Sequence, residues 1–267
     1  MQKIPERSDT HARPKTKKHH QAPGRPTAMA TPMSQYLSEF IATGMLILLG
    51  NGVVAGALLN KSKAQGAGWG VITAAWGLAV LIGIYIAGPT SGAIMNPALT
   101  IALAAIGKLS WAVVPGFVLA QIAGAFAGAT LVWLAYLAHW RVSDDPALKL
   151  AIFCTAPAIR DTKANVLTEV IGTFALTFGA LAIGANTLAP GMGPLGVGLL
   201  VVVVGMSLGG PTGYAINPAR DLGPRIAHAL LPIAGKGGSD WAYAWVPVVA
   251  PIVGALIGAF AFQAAYG

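Results

Sequence analysis

Ser91-Gly92-Ala93-Ile94-Met95-Asn96-Pro97-Ala98-Leu99-Thr100 and Gly213-Tyr214-Ala215-Ile216-Asn217-Pro218-Ala219-Arg220-Asp221 are two versions of one device. Each follows a long apolar segment and a Gly-containing turn, and each carries Asn-Pro-Ala at its centre. Asn suits a helix N-cap, and Pro suits the first helical position, where no N–H is needed. Each copy therefore reads as the start of a helix. The apolar segments that follow, about 97–106 and 218–229, are too short to cross a bilayer, which takes about 20 residues. Backbone that enters a membrane without crossing it is tolerated only where protein covers it or where it lines a watery cavity. Two such helix starts meeting would aim two amide side chains and two positive dipole ends at one spot, and so define a pore.

Composition places these segments in a membrane. The chain has 267 residues, of which 55% are hydrophobic and 10% charged, against about 25% charged in a soluble domain. Windows 40–60, 64–107, 109–140, 170–219 and 241–267 contain no Asp, Glu, Lys or Arg. They hold six spans, at about 35–57, 69–88, 111–137, 165–186, 195–209 and 242–264. The first 33 residues carry seven Lys/Arg against two acids, so +5 of the net +8 sits on residues 1–33. That tail reads as a disordered cytoplasmic leader with positive-inside bias rather than a nucleic-acid arm, and no nucleic-acid partner is expected. Its length and its Pro and His content do not fit a signal peptide. The pore-forming domain is then 34–267. A single cysteine, Cys154, precludes an internal disulfide. It falls in the connection 138–164, the longest between spans, and is expected there as a free, inert thiol outside the pore. His11, His19, His20, His139 and His228 show no metal-ligand spacing within the spans. No metal and no cofactor is expected.

The two halves repeat. Tyr36-Leu37-Ser38-Glu39-Phe40-Ile41-Ala42-Thr43 parallels Val166-Leu167-Thr168-Glu169-Val170-Ile171-Gly172-Thr173. Repeat one covers about 35–137 and repeat two about 165–264. Three spans per half is an odd number, so the second half enters from the opposite face. Substrate sites in inverted repeats lie near the midplane, between the repeats. An even total places both termini on one side, which the basic tail makes cytoplasmic, and the connection 138–164 falls outside. The expected fold is an all-α membrane protein of six transmembrane helices and two re-entrant half-helices. Gly124/Gly128 and Gly254/Gly258 are small-xxx-small pairs suited to close helix packing.

Glu39 and Glu169 lie inside spans one and four, where a charge is expensive and usually functional. A proton relay or an ion-coupled transporter would use them as titrating groups. Their equivalent places in the repeats, with no further acid in the spans to continue a relay, favour a scaffold role. Each carboxylate is expected to accept backbone N–H groups from the non-helical stretch before an Asn-Pro-Ala motif. A membrane enzyme would need an acid, a base or a metal cluster, and the sequence offers none.

The paired motifs resemble the two pore loops of the aquaporin (major intrinsic protein) family, and the resemblance extends over about 35–264. It implies a homotetramer with one pore per subunit, embedded in a cell membrane. It also implies a selectivity constriction at Trp76, Gly205, Tyr214 and Arg220, with Asn96 and Asn217 at the pore centre. This set resembles that of glycerol-conducting members, with Tyr in place of the commoner Phe, as do Asp221, Arg225 and Pro247. Asp221 and Arg225, four apart on a half-helix, read locally as a surface ion pair. Ile94 stands where the family usually has His. On this reading Gly205 leaves room for a carbon backbone, Trp76 and Tyr214 form an apolar corner, and Arg220 donates to hydroxyls. The carbonyls of Gly92, Ala93, Ile94, Met95, Gly213, Tyr214, Ala215 and Ile216 would accept hydroxyl protons. An Arg and half-helix dipoles are the barrier to cations and protons in aquaporin-type pores. The implied function is a passive channel for glycerol and other small uncharged solutes, also passing water. Neutral hydroxy acids such as lactic acid, urea or hydrogen peroxide are the alternative cargo.

Overall fold

The protein is described by a computed structural model over residues 31–267; the basic tail 1–30 lies outside the described residues. Ten helices follow one another: α1 Pro32–Leu58, α2 Gly68–Ser91, α3 Pro97–Ala105, α4 Val114–Ala135, α5 Leu137–Trp140, α6 Pro146–Phe153, α7 Thr162–Ala185, α8 Met192–Leu208, α9 Pro218–Leu230 and α10 Val246–Tyr266. Five of them (α1, α2, α4, α7 and α10) are long and apolar enough to cross a membrane, and α8 is apolar with 17 residues. Local chemistry sets the boundaries. Thr31 accepts Ser34 N–H at 3.2 Å ahead of Pro32, and Asp161 caps α7 by accepting from Lys163 and Ala164. The interiors carry no charged stripe because their outward faces are apolar too, as a lipid-facing helix requires.

The two short helices follow the same chemistry. Asn96 Oδ1 accepts from Ala98 N–H at 3.0 Å, and Asn217 Oδ1 from Ala219 N–H at 3.0 Å, each with Pro at the next position. At 1.5 Å per residue α3 is about 14 Å long and α9 about 20 Å. Neither crosses a hydrocarbon core of about 30 Å, but the two laid end to end do.

Close packing is repeated in the two halves at one offset. A Cβ on Gly124 would lie 2.2 Å from Phe40 O, and one on Gly128 2.3 Å from Gly44 O, so α1 and α4 touch backbone to backbone. A Cβ on Gly254 would lie 2.3 Å from Val170 O, and one on Gly258 2.9 Å from Phe174 O, so α7 and α10 touch likewise. All four pairs map onto each other by the offset that relates Glu39 to Glu169.

The connection 138–164 departs from the expected outer loop. It carries α5 and α6, and its middle turns inward: Phe153, Cys154 and Thr155 are all buried. The cause is polar. Thr155 donates its N–H and its hydroxyl to Asp221 Oδ2, at 2.8 and 2.7 Å, which ties the connection to α9. Cys154 is thus a free thiol of the connection that is buried, and burial pushes its pKa up.

Candidate functional site

Between α2 and Asn96, residues 92–95 run without helix, and residues 213–216 do the same before Asn217. Three of the four residues in each stretch have positive φ: Gly92 84°, Ala93 55°, Met95 50°, and Gly213 80°, Tyr214 38°, Ile216 43°. Only glycine adopts such angles freely, and for β-branched or bulky residues they are strained. Two buried carboxylates hold them. Glu39 accepts from Ile94 N–H at 2.9 Å, Met95 N–H at 2.7 Å, the Ser91 hydroxyl at 2.6 Å and the Gln121 amide at 2.8 Å. Glu169 accepts from Ala215 and Ile216 N–H, both at 2.9 Å, and from the Thr212 hydroxyl at 2.6 Å. With the N–H groups drawn to the carboxylates, the carbonyls of these stretches are turned the other way. Ile94 keeps its backbone bond to Glu39, so the first stretch is held without an imidazole at that position.

The two half-helix starts lock together by an exchange. Asn96 Nδ2 donates to Ile216 O, and Asn217 Nδ2 donates to Met95 O, both at 2.8 Å. Each amide has a second N–H left, and both side chains line one continuous cavity of about 340 Å³. Met95 and Ile216 therefore already bind an Asn amide with one carbonyl lone pair. Gly92, Ala93, Ile94, Met95, Tyr214, Ala215 and Ile216 line the cavity; Gly213 does not, and its Cα instead faces Thr155.

Trp76, Tyr214 and Arg220 line the same cavity, and the Arg220 guanidinium carbon lies 4.1 Å from the Trp76 ring centroid. Arg220 Nη1 donates to Phe153 O at 3.3 Å. Toward the opposite end the wall is apolar, with Val80, Ile84, Leu103 and Val197 among its residues. Gly205 is not part of the lining. A Cβ there would lie 2.7 Å from Tyr214 Cζ and 2.9 Å from Thr73 Cγ2, and a Cβ on Gly209 2.5 Å from Tyr214 Cδ1. Trp69 closes the slot, packing edge-on to Tyr214 with ring centroids 5.7 Å apart. The room that Gly205 makes is filled by the tyrosine ring, and solute space arises only indirectly.

Asp221 and Arg225 are fully buried, not a surface pair. Arg225 Nε and Nη2 reach the two Asp221 oxygens at 2.8 and 3.0 Å, while Nη1 donates to Ser239 O at 2.7 Å. Together they clamp the connections before α7 and before α10 onto α9. A surface pair was expected because four-residue spacing fixes which helix face two residues share, not what covers it. Pro247 is buried in the first turn of α10. Gln121, Asn51, Ser91 and Thr212 complete the polar framework. The signal for Gln121 and Asn51 was available: each is an amide inside a long charge-free apolar window.

A profile of the Major intrinsic protein family matches residues 27–262. A probable glycerol uptake facilitator protein of Thermotoga maritima is 60% identical over 227 residues, covering 85% of this chain and 97% of that protein. A glycerol uptake facilitator protein of Bacillus subtilis is 56% identical over 234 residues, covering 88% of this chain and 85% of the relative. Among solved structures, the aquaglyceroporin from Plasmodium falciparum superposes with a TM-score of 0.78 at 28% identity, over 87% of this chain and 96% of the other. The six apolar helices, the paired half-helices and the cavity between them are those of a membrane channel protein. The chain belongs to the major intrinsic protein family.

Proposed function

We propose that the protein is a passive channel for glycerol and other small uncharged solutes, and for water, working as a homotetramer in a cell membrane with both termini cytoplasmic. The observation that carries this reading is the two-faced cavity. The Trp76 and Tyr214 rings offer C–H groups an apolar surface beside Arg220, and a column of carbonyls then leads to the Asn96 and Asn217 amides. A polyol crossing it exchanges water hydrogen bonds for these, without a deep well to hold it. The positive ends of α3 and α9 and the Arg220 charge repel cations there.

The transporter alternative requires Glu39 or Glu169 to titrate or bind an ion in the path. Neither lines the cavity, and each accepts at least three hydrogen bonds from the loop it holds. Stopped-flow light scattering on proteoliposomes separates the two. A channel gives glycerol flux proportional to the gradient, indifferent to Na⁺ and to a pH gradient. Saturation at millimolar glycerol, or dependence on an ion gradient, would exclude it.

A further inference from the structure

Asn51 is a fully buried amide in the middle of an apolar helix. Its Nδ2 donates to Phe153 O at 3.3 Å, and its Oδ1 has no partner among the described residues. Phe153 O is also the carbonyl that receives Arg220 Nη1, at 3.3 Å. A carbonyl has two lone pairs, so these two donors fill it. The residue before Asn51 faces the same site from the other side: a Cβ on Gly50 would lie 2.3 Å from Trp76 Cζ3. One turn of α1 thus meets both the ring and, through one carbonyl, the guanidinium that lies over it.

Stability does not account for this amide. One long hydrogen bond, with the other end of the group left unpaired and buried, is a poor return for desolvation, and an apolar residue of similar size would serve packing better. The second repeat shows that alternative. Leu181 occupies the corresponding position of α7 and packs among Ala98, Ala102, Ala255 and Ala259. Repeat two has an apolar contact where repeat one has an amide aimed at Phe153 O.

We infer that Asn51 is a positioning residue for solute selection: it fixes the Phe153 carbonyl, which in turn fixes the Arg220 guanidinium over Trp76. Without it the carbonyl can turn, and Arg220 loses its anchor and leans into the constriction. A solute with a carbon backbone is obstructed more than water is. The inference rests on the proposed filter of Trp76, Tyr214 and Arg220.

The test is a double-mutant cycle on the full-length reconstituted protein, read as the ratio of glycerol to water permeability in proteoliposomes matched for protein content. Asn51→Leu and Asn51→Met both remove the donor, so either one that folds suffices. The ratio should fall by about three-fold or more, the scale of coupling within one hydrogen-bond network. In an Arg220→Ala background the same substitutions should leave the ratio unchanged, and Asn51→Leu should not lower the thermal midpoint. An unchanged ratio, or an equal fall in the Arg220→Ala background, overturns the role of Asn51. If Arg220→Ala itself leaves the ratio at the parent value, the filter reading has failed, and the inference with it.

Discussion

Gly205 shows how a missing side chain acts at second hand. Its absent Cβ admits the Tyr214 ring, which is held between Gly205, Gly209 and Trp69 and lines the cavity with its remaining face. Gly205→Ala sets a methyl 2.7 Å from Tyr214 Cζ. Overpacking of this kind costs about 1–3 kcal/mol, and relieving it displaces a ring that lines the cavity. Glycerol permeability is expected to fall about ten-fold, at the scale of that strain, and water permeability less. Gly205→Ala with Tyr214→Ser should recover glycerol flux above the single variant. Parent-like flux in Gly205→Ala would show that the ring is not wedged. Cys154 is governed by burial. It is 1% exposed, and desolvation raises its pKa, which disfavours the reactive thiolate. Mercuric ion is expected to inhibit flux only weakly. Strong block that vanishes in Cys154→Ser would mean that the segment at Phe153 opens to the pore mouth.

At the scale of elements, α3 and α9 owe their position to strained loops, and the loops owe their shape to two carboxylates. Glu→Gln at either place swaps an acceptor oxygen for an NH₂ group facing backbone N–H donors. Hydrogen bonds to charged groups are worth about 1.5–3 kcal/mol each, so Glu39→Gln and Glu169→Gln should each lower the detergent-solubilised thermal midpoint and reduce glycerol flux. The alternative transporter role would show intact thermal stability with loss of ion coupling only. The Asp221–Arg225 pair makes a comparable case. Arg225→Leu strands a buried carboxylate, at a cost of about 3–5 kcal/mol. These elements also show how far the chain could be read from its residues. Asn-Pro-Ala and the charge-free windows specify helix starts and spans, because capping and hydropathy are local. The inward course of Phe153–Thr155 was not legible. It depends on Thr155 meeting Asp221, a partner 66 positions away, and no local pattern announces such a bond. The fit of the Tyr214 ring against Gly205 was not legible for a related reason: sequence spacing finds which residues meet, but not which of them fills the space between.

The whole molecule is two inverted halves, and orientation in the membrane is a property of neither half alone. One end of the bundle gathers the start of α1, the turn after α3 and the end of α10, where Lys108 lies over the Phe262 ring with its Nζ 5.6 Å from the centroid. The other end gathers Asn60 against Val142 and Ser143, and Arg160 against Asp240. On the proposed topology the basic residues ahead of α1 keep the first end in the cytoplasm, since translocating so many Lys and Arg is disfavoured. Single cysteines introduced into a Cys154→Ser background read this directly. In intact cells an impermeant maleimide should label Lys61→Cys and Arg160→Cys and spare Lys108→Cys; after permeabilisation all three should react. Lys61 and Arg160 come from different repeats, and the inverted arrangement alone brings them to one face. Labelling of Lys108→Cys instead, with the other two protected, would reverse the orientation. Labelling of Lys61→Cys but not Arg160→Cys would break the inverted relation between the halves.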